Sequence, residues 1–435
     1  MPFDIIIGRN ESDKKNFQKR GLAYIGKSFV TMGNYTSLSN PIYLDIARSH
    51  VILLSGKRGS GKSYTIGTIA EALSNLGVEE SGNVASLIFD TMGIFWTMKY
   101  LNQKDRELLD EWGLKAKKLP IKVFAPFGYY QEYIDKGISV DKEFAIKISE
   151  LEESDWISLF ELNFTNPVAV AIEMSILELK EEQESYNFED IVNKIQSIKT
   201  ITQEIKNSAI ALFNAAKSWK VFDEIKGTTI QDLIKAGQTT VIDLSMYASI
   251  GTFNIRALII GLVSKRLFNY RMAERKNEEI QAVQYGENYS RFSINREMPL
   301  VWIFIDEAHE FLPKEGKTPA SDALVQILRE GRQPGISLVI ATQQPGKIHT
   351  DAMTQSDIVI SHRVTAALDV QALNEISQSY LYSSLSNKIN SLPKLKGSAI
   401  ILDDNSERIY PMRIRPRFTW HGGESPAAIK QEKEL

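Results

Sequence analysis

The 435-residue chain contains no cysteine, so neither disulfide bonds nor thiolate metal sites can contribute to its fold. Its longest apolar runs, such as Val51–Leu54 and Ile255–Val263, are too short or too interrupted by charge to span a bilayer. The first residues include Asp4 and lack a basic segment followed by a long apolar one, which argues against a secretory leader. We therefore expect a cytoplasmic protein that does not insert into a membrane.

The chain also lacks an excess of charge, a repeat of fixed period and any low-complexity tract. Its formal net charge of −3 argues against a surface coated uniformly for nucleic acid. A DNA-binding channel is compatible with this charge, because only the lining of a pore needs to be basic. Hydrophobic residues at 43% and charged residues at 24% are typical of a packed globular protein. The length suggests one large domain or two to three smaller ones.

Residues 1–49 differ in pattern from the segment that follows. Three short strands, Asp4–Ile7, Ala23–Val30 and Pro41–Ile46, are predicted there between polar turns. From Val51 onward, short apolar strands alternate with longer amphipathic helices, which predicts an α/β fold with a parallel sheet covered on both faces. The strands predicted after residue 50 are Val51–Leu54, Val84–Phe89, Thr239–Leu244, Leu300–Ile305, Ile336–Ala341, Asp357–Ile360, Ser398–Leu402 and Ile409–Ile414.

Helical periodicity dominates between residues 100 and 235, where Val168, Ile172 and Ile176 recur on one face of a helix. A long helix is predicted over Phe253–Lys276, followed by a surface loop over Asn277–Glu297. We divide the chain into a small N-terminal β region or reduced barrel (1–49), an α/β core (50–99 and 236–418), a mainly helical insertion (100–235) and a mobile polar C-terminal tail (419–435).

The stretch from Gly56 to Ser63 fits the phosphate-binding pattern G-x-x-x-x-G-K-[ST] without a mismatch. It lies between the strand Val51–Leu54 and a predicted helix over Tyr64–Leu76. Backbone N–H groups of such a loop point at phosphates, and the helix dipole adds to the anion site. Lys62 would reach the β- and γ-phosphates of ATP, and the Ser63 hydroxyl would bind Mg²⁺. The predicted nucleotide contacts are Gly56, Arg58, Gly59, Ser60, Gly61, Lys62, Ser63 and Tyr64.

Two acids, Asp306 and Glu307, follow the apolar strand Leu300–Ile305. A strand that ends in this way delivers both carboxylates to the carboxyl edge of the sheet, beside the phosphate-binding loop. Asp306 would hold Mg²⁺ through water, and Glu307 would act as the general base that activates the attacking water. For the acidic pair taken alone, a helix N-terminus is the alternative, because acids are favoured there in any case.

Another apolar strand, Ile336–Ala341, is followed by Gln343. This placement brings the amide of Gln343 to the same edge of the sheet. There it can contact the γ-phosphate or the attacking water and report hydrolysis to the neighbouring loop. A simple turn before Pro345 is the alternative.

Together these motifs resemble the HerA family of archaeal and bacterial DNA translocases, in the HerA/FtsK superfamily. The resemblance runs from His50 to the end of the chain. It implies a RecA-like P-loop ATPase core that assembles as a homo-oligomer, a hexameric ring around double-stranded DNA, with ATP between subunits. It also implies a partner nuclease of the NurA type or a related effector, in DNA end processing, repair or defence. The stretches that carry it are Gly56–Ser63, Phe304–Pro313, Leu328–Gly335, Ala341–Pro345 and Arg415–Gly423.

The resemblance assigns catalytic roles to Lys62, Glu307 and Gln343, and metal binding to Ser63 and Asp306. Its motifs therefore give the same roles as the residues do by themselves. ATP and Mg²⁺ are the cofactors that these residues imply.

Two arginines, Arg329 and Arg332, lie in the segment that supplies a trans-acting arginine in the family. Such an arginine stabilises charge on the γ-phosphate of the neighbouring subunit, so ATPase activity would require assembly. Arg332 is the first choice, because the following Gln333–Gly335 stretch ends the helix. The alternative is a pair of solvated helix arginines with Glu330 as a partner.

The chain departs from the family pattern in two places. Family members carry a larger N-terminal β-barrel for partner docking than residues 1–49 can form, which weakens the expectation of a NurA-like partner. After the strand Val84–Phe89 the family tends to show Asp-Pro-x-Gly-Glu. Here Asp90 is retained and Ile94 replaces the glutamate, so any role of that acid is lost.

Two other functions stay open. A conjugation- or secretion-type pumping ATPase would favour a membrane anchor or a long docking domain, and a signalling NTPase would hydrolyse ATP without translocating anything. For a DNA motor, Lys314, Lys317 and Lys347 are candidates for phosphate contacts, although each taken singly also fits a solvated surface lysine. His309, which follows the acidic pair, is interpreted as a packing or hydrogen-bonding residue.

Overall fold

The structure, a computed structural model, describes residues 3–32, 35–249, 254–286, 297–364, 369–372, 389 and 392–423. The strands of these residues are β1 (Ile5–Ile7), β2 (Leu22–Met32), β3 (Tyr35–Asp45), β4 (Val51–Ser55), β5 (Val84–Asp90), β6 (Ile121–Pro126), β7 (Lys142–Phe144), β8 (Ile146–Lys147), β9 (Phe222–Asp223), β10 (Thr239–Asp243), β11 (Leu300–Ile305), β12 (Ile336–Thr342), β13 (Ile358–His362), β14 (Ser398–Asp403) and β15 (Arg408–Ile414). The α-helices are α1 (Glu11–Phe17), α2 (Lys62–Ser74), α3 (Val78–Ser81), α4 (Arg106–Glu111), α5 (Tyr130–Asp135), α6 (Glu153–Leu159), α7 (Pro167–Glu182), α8 (Phe188–Ser197), α9 (Gln203–Lys217), α10 (Ile230–Leu233), α11 (Ile255–Tyr285), α12 (Ser321–Glu330) and α13 (Thr350–Thr354).

A single 13-stranded sheet runs through the molecule in the order β1-β3-β2-β15-β14-β13-β4-β12-β11-β5-β10-β6-β7. From β13 to β7 every neighbouring pair is parallel. Side chains alternate between two cores, one on each face, with Leu53 and Leu87 in the first and Ile52 and Ile88 in the second. The predicted α/β fold with a parallel sheet covered on both faces is confirmed.

The predicted N-terminal strands continue the same sheet. β15 pairs antiparallel with β2, and Gly26 lies so close to the carbonyl of Arg413 that a Cβ there would be 2.3 Å from its oxygen. Among the described residues, β1–β3 thus extend the core sheet and do not close a separate barrel. The polar stretch before β2, which we expected to be a turn, contains α1, whose first turn is capped by the side chain of Asn10.

Strands of the main sheet also occur inside the stretch expected to be a mainly helical insertion. β6 pairs with β10, and β7 with β6, so the chain returns to the sheet before it forms α6–α9. These four helices pack around the buried Trp156, which contacts the rings of Phe160 and Phe213. On α7, Ile172 and Ile176 are buried, as their spacing predicts.

Helix α11 is longer than expected. We expected a loop from Asn277 onward, but residues 277–285 are helical, so that expectation is wrong for this part. Charged pairs along the helix contact the extension: Glu278 lies 3.3 Å from the buried Arg271, two turns earlier, and 3.2 Å from Arg275, one turn earlier. The rest of the expected loop, residues 287–296, falls outside the described residues.

The first residues of the predicted mobile tail are packed. Thr419 is buried, the N–H of Trp420 donates to the carbonyl of Tyr100 (2.8 Å), and Asn102 donates to the carbonyl of Phe418 (3.1 Å). The expectation of a mobile tail is therefore wrong for residues 419–421, where the ring of His421 also packs against Tyr64. The remainder, residues 424–435, lies outside the described part of the chain.

Candidate functional site

The phosphate-binding loop joins the end of β4 to the start of α2, as its motif predicts. Gly61, the residue before α2, has φ 111°, a left-handed conformation that favours glycine. At Gly56 a Cβ would lie 2.5 Å from the Ser60 hydroxyl and 2.8 Å from the Cβ of His362. The loop therefore needs glycine at these two positions.

Lys62, the first residue of α2, is almost fully buried at the centre of this loop. Its ammonium group donates hydrogen bonds to the carbonyl oxygens of Gly56 (3.0 Å) and Lys57 (3.4 Å). Burial lowers the pKa of Lys62, while the charges of Glu307 and Asp306 act in the opposite direction. The loop thus presents one buried cation opposite two acids.

Ser63 and Asp306 meet although 243 positions separate them in sequence. The Ser63 hydroxyl donates to a carboxylate oxygen of Asp306 over 2.5 Å. Burial raises the pKa of Asp306, the hydrogen bond from Ser63 lowers it and the charge of Glu307 raises it again. Two adjacent oxygen ligands of this kind fit Mg²⁺, which keeps most of its waters and takes few protein ligands.

Glu307 and Gln343 lie at the ends of neighbouring strands, β11 and β12. The amide Nε2 of Gln343 donates to Glu307 Oε1, and the second oxygen, Oε2, has no hydrogen-bond partner among the described residues. The backbone of Glu307 is left-handed (φ 51°, ψ 42°), a conformation that costs a non-glycine residue about 1–2 kcal/mol. Such strain concentrates at functional sites. The predicted general base and the predicted sensor are therefore in direct contact.

His309 makes a hydrogen bond across the same two strands. Its Nδ1 lies 3.2 Å from the hydroxyl of Thr342 and 3.7 Å from Glu307 Oε2. The ring links the two loops that carry Glu307 and Gln343, which matches the hydrogen-bonding role expected for it.

His362, at the end of β13, lies beneath the phosphate-binding loop and was not anticipated. Its Nε2 is 2.8 Å from the hydroxyl of Thr65, and its Nδ1 is 3.1 Å from the carbonyl oxygen of Ser398. Burial lowers the pKa of His362 to about 4, so the ring is neutral at neutral pH. The backbone carbonyl of Arg363, the next residue, accepts a hydrogen bond from the N–H of Lys57 (3.1 Å). A lone histidine after a strand gives no sequence signal for this support.

Asp90, the acid retained from the family pattern, is buried at the end of β5. Its carboxylate accepts hydrogen bonds from the N–H groups of Gly93 (2.8 Å) and Phe95 (2.6 Å). Burial raises its pKa, and the nearby charge of Asp243 adds to that shift. Ile94, which replaces the family glutamate, packs against the hydrophobic core. Asp90 thus holds the turn after β5.

The two candidate trans-acting arginines lie at the amino ends of the parallel strands, which we call the amino edge. The phosphate-binding loop lies at their carboxyl ends, the carboxyl edge. Arg329 pairs with Asp351 (2.7 Å), and Arg332 pairs with Asp357 (3.2 Å), the residue before β13. The five residues of β4 separate the two edges by about 17 Å. Neither arginine can therefore reach the phosphate-binding loop of its own chain.

The candidate DNA-contacting lysines lie in loops that follow β11 and β12. The N–H of Lys314 donates to the carbonyl of Lys347 (2.9 Å), so these two residues are neighbours. Lys317 is paired with Asp322 at 2.8 Å, although both side chains are exposed. Of the three, Lys314 and Lys347 are brought together.

The part of the chain that the structure describes has no helix long and apolar enough to cross a membrane. The same residues contain no group of three or more His, Asp or Glu side chains that could hold a metal ion by themselves. A metal at the Ser63–Asp306 pair would depend on water and phosphate oxygens for its other ligands.

The sequence profile of the family described as "Helicase HerA, central domain" matches residues 30–263, more than half of the chain. The DNA double-strand break repair helicase HerA of Pyrococcus furiosus is 27% identical over 179 residues, which cover 39% of this chain and 31% of that protein. The DNA double-strand break repair helicase HerA of Sulfolobus acidocaldarius is 25% identical over 370 residues, 83% of this chain and 63% of that protein. The chain thus spans less than two thirds of the length of either relative.

Among solved structures, VirB4 of Thermoanaerobacter pseudethanolicus matches with a TM-score of 0.54 and 11% identity, over 92% of this chain and 97% of that one. At this identity the likeness concerns the fold alone. It agrees with a RecA-like α/β core.

Proposed function

Because this chain belongs to the HerA-type P-loop ATPases, we propose that it hydrolyses ATP and uses the energy to move double-stranded DNA through a ring of identical subunits, most simply a hexamer. The observation that carries the proposal is the meeting of five side chains at one edge of the parallel sheet. These side chains are Lys62, Ser63, Asp306, Glu307 and Gln343.

Each of these groups has a separate task in hydrolysis. Lys62 binds the β- and γ-phosphates and neutralises part of their charge. The Ser63 hydroxyl would bind the metal ion directly, and Asp306 would hold it through water. Glu307 takes the proton of the attacking water through the carboxylate oxygen that has no hydrogen-bond partner among the described residues. Gln343, which contacts the other oxygen of that carboxylate, is placed to sense the γ-phosphate and the base together. Mg²⁺ would supply charge neutralisation at the phosphates.

The position of the arginines supports a ring. A site at the carboxyl edge that needs an arginine from the amino edge is completed only by a second copy of the chain. Arg332 is proposed as that residue, with Arg329 one turn earlier as the second candidate. Both arginine side chains are more than half exposed, as a residue that enters a neighbouring subunit must be.

For DNA, we propose Lys314 and Lys347 as phosphate contacts. They sit side by side in the loops that follow the two strands carrying the base and the sensor, so a change at Glu307 or Gln343 can reach them over a few residues. Contacts to phosphates without contacts to base edges suit a motor that must pass over any sequence.

The setting of the activity forms part of the proposal. We propose that the protein works in the cytoplasm and acts with a nuclease of the NurA type or another effector in DNA end processing, repair or defence. We propose that β1–β3, which extend the sheet beyond β15, take the place of the docking barrel of the family. Among the two other functions, no observation favours a pumping ATPase or a signalling NTPase.

A DNA-stimulated ATPase assay, run beside a native mass measurement, tests the proposal. Turnover should rise when double-stranded DNA is added, and the mass with ATP and DNA should correspond to a closed ring. Lys62→Ala is the control for contaminating ATPases. A single-chain mass with DNA-independent turnover would favour a signalling NTPase and contradict the ring motor. Turnover stimulated by a membrane vesicle in place of DNA would favour a pump.

A further inference from the structure

The segment Arg415–His421, which we call the strap, crosses the buried face of α2. It is held there by Glu71, a residue that lies in none of the catalytic motifs. Glu71, two turns after Ser63, is fully buried. Its carboxylate accepts hydrogen bonds from Arg415 Nη1 (3.1 Å) and Arg417 Nε (3.0 Å). It also accepts from the N–H of Phe418 (2.8 Å) and from the N–H (3.0 Å) and hydroxyl of Thr419. Glu71 thus collects five donors from the strap.

A buried ion pair is by itself weak evidence for a special role, because apolar residues of similar volume can often replace it. What distinguishes this one is where the strap leads. The N–H of Arg417 donates to the hydroxyl of Tyr64 over 2.7 Å, and Tyr64 directly follows Ser63. The ring of His421 packs edge-on against the ring of Tyr64, with 5.2 Å between centroids. The strap therefore contacts the helical turn that supplies Lys62 and Ser63.

The helix surface is shaped to receive the strap. A Cβ at Gly67 would lie 2.5 Å from Nη1 of Arg417, so only glycine lets the guanidinium group lie against α2. Arg415 adds a hydrogen bond from Nη2 to the carbonyl of Thr68 (3.0 Å). Both arginine side chains are fully buried. The contact spans α2 from Tyr64 to Glu71.

Both ends of the strap are fixed to other elements. At its start the N–H of Arg415 donates to the carbonyl of Ile25 in β2 (3.0 Å). Near its end the hydroxyl of Thr97, in the turn after β5, donates to the carbonyl of Trp420 (3.1 Å). A segment held at both ends and in the middle can set the position of the helix turn that it touches.

We propose that Glu71 is a positioning residue of the nucleotide site: by fastening the strap Arg415–His421 to α2, it sets the first turn of this helix for phosphate binding. This inference rests on the proposed ATPase function. It assigns Glu71 an effect on ATP affinity and none on the chemical step, because Glu71 touches neither the acids nor Gln343.

The test measures the dissociation constant of a non-hydrolysable ATP analogue with Mg²⁺, together with kcat, KM and Tm. Glu71→Gln keeps the shape of the side chain and one acceptor oxygen but removes the negative charge. It should weaken analogue binding and raise KM, each by about tenfold. Losses of this size follow when residues that support a binding site are changed. The value of kcat at saturating ATP should stay close to that of the wild type. Tyr64→Phe removes only the hydrogen bond from Arg417 and should shift KM in the same direction by less.

Asp45→Asn is the matched control. Asp45 and Arg9 form another ion pair whose side chains are both fully buried, but in the N-terminal strands. Loss of the Asp45–Arg9 ion pair should lower Tm and leave analogue binding unchanged. If Glu71→Gln and Tyr64→Phe behave like Asp45→Asn, with lower Tm and unchanged affinity, the role of Glu71 is structural only and the inference is wrong.

Two further outcomes keep the inference separate from the proposed function. Glu71→Gln leaves two buried guanidinium groups without a carboxylate, so if this variant does not fold, Tyr64→Phe decides, and an unchanged affinity there contradicts the inference. If the wild-type protein itself does not bind the analogue, the proposed ATPase function fails. If the wild-type protein binds the analogue and the variants bind it with the same affinity, only the role of Glu71 is overturned.

Discussion

The carboxyl and amino edges of the parallel sheet carry functional residues of opposite character. At the carboxyl edge, Asp306 is buried and accepts a hydrogen bond from Ser63, and Glu307 accepts one from Gln343. At the amino edge, Arg332 is 58% exposed and pairs with an acid of its own chain. One edge is thus built to enclose a ligand, and the other presents a charged group outward. Under the proposed function, these are two half-sites that a neighbouring copy of the chain would join.

Buried charges also occur at the amino edge, but they serve the fold. Asp357, the partner of Arg332, accepts hydrogen bonds from the N–H of Val51 (2.8 Å) and lies 2.7 Å from Nδ1 of His50. Asp45 in turn lies 3.7 Å from Nε2 of that ring. This network ties the N-terminal strands to the start of β4. Changes at the carboxyl edge should therefore affect catalysis, and changes in this network should affect stability.

The largest effect expected at the carboxyl edge is the loss of metal. Excess chelator should abolish ATP turnover, because Lys62 alone cannot neutralise the triphosphate and oxygen ligands such as Ser63 and Asp306 suit a hard cation. Turnover is measured before and after chelation, and added Mg²⁺ should restore it. Full activity in excess chelator would refute the metal role of Ser63 and Asp306.

Replacing the general base should stop hydrolysis without preventing binding. In Glu307→Gln, the amide can still accept the hydrogen bond from Gln343 but cannot take a proton from water, so kcat should fall by on the order of 10²–10⁴. Analogue binding and single-turnover hydrolysis measure the two steps. His309→Gln, which changes the neighbouring ring and keeps the carboxylate, is the control and should cost far less. Near-normal turnover by Glu307→Gln would remove Glu307 from its assigned role.

The buried cation of the loop should govern affinity. Lys62→Ala leaves the phosphates without their charged partner and should weaken ATP-analogue binding by on the order of a hundredfold. Lys57→Ala is the matched control, since Lys57 belongs to the same loop but its side chain is exposed. Equal losses from both variants would contradict the special position of Lys62.

The smallest effect is on stability and comes from the amino edge. Burial alone would lower the pKa of His50, but the hydrogen bond to Asp357 and the nearby negative charge of Asp45 raise the pKa from 6.5 to about 9. A raised pKa stabilises the fold fully below pH 6.5, and this contribution, about 3 kcal/mol, is lost as the pH rises through 9. The free energy of unfolding from denaturant titrations at pH 6 and pH 9.5 measures it. His50→Gln should flatten the difference, and an unchanged difference would show that His50 does not cause it.

Much of the core and of the site follows from local pattern. The motif from Gly56 to Ser63 and the acids after β11 mark strand ends, and parallel strands must bring those ends together. The structure places Ser63 beside Asp306 and Glu307 beside Gln343, as the sequence predicts. This prediction did not require the order of the strands in the sheet, in which β12 lies between β4 and β11.

The features that local pattern misses depend on distant partners. β6 is flanked by Pro120 and ends at Pro126, so it lacks the appearance of a core strand, yet it pairs with β10. His362 and Glu71 acquire their roles only through residues far away in sequence. On α11, Arg271 pairs with Glu278 of the extension and also donates to the carbonyl oxygens of Pro334 and Met298, which lie outside the helix. Tertiary contacts decide all of these.

The proposed division of the site between two chains is tested most directly by mixing two inactive variants. Arg332→Ala keeps its own Glu307 and lacks the group that it donates, together with the ion pair to Asp357, and should lose turnover by on the order of 10³. A Glu307→Gln subunit lacks only its own base. When dissociated chains of both are mixed and reassembled, some interfaces pair an intact Glu307 with an intact Arg332, so DNA-stimulated ATPase activity should return in part. No recovery at any mixing ratio, or wild-type turnover by Arg332→Ala alone, would contradict a trans-acting Arg332, and Arg329→Ala would then be mixed in the same way.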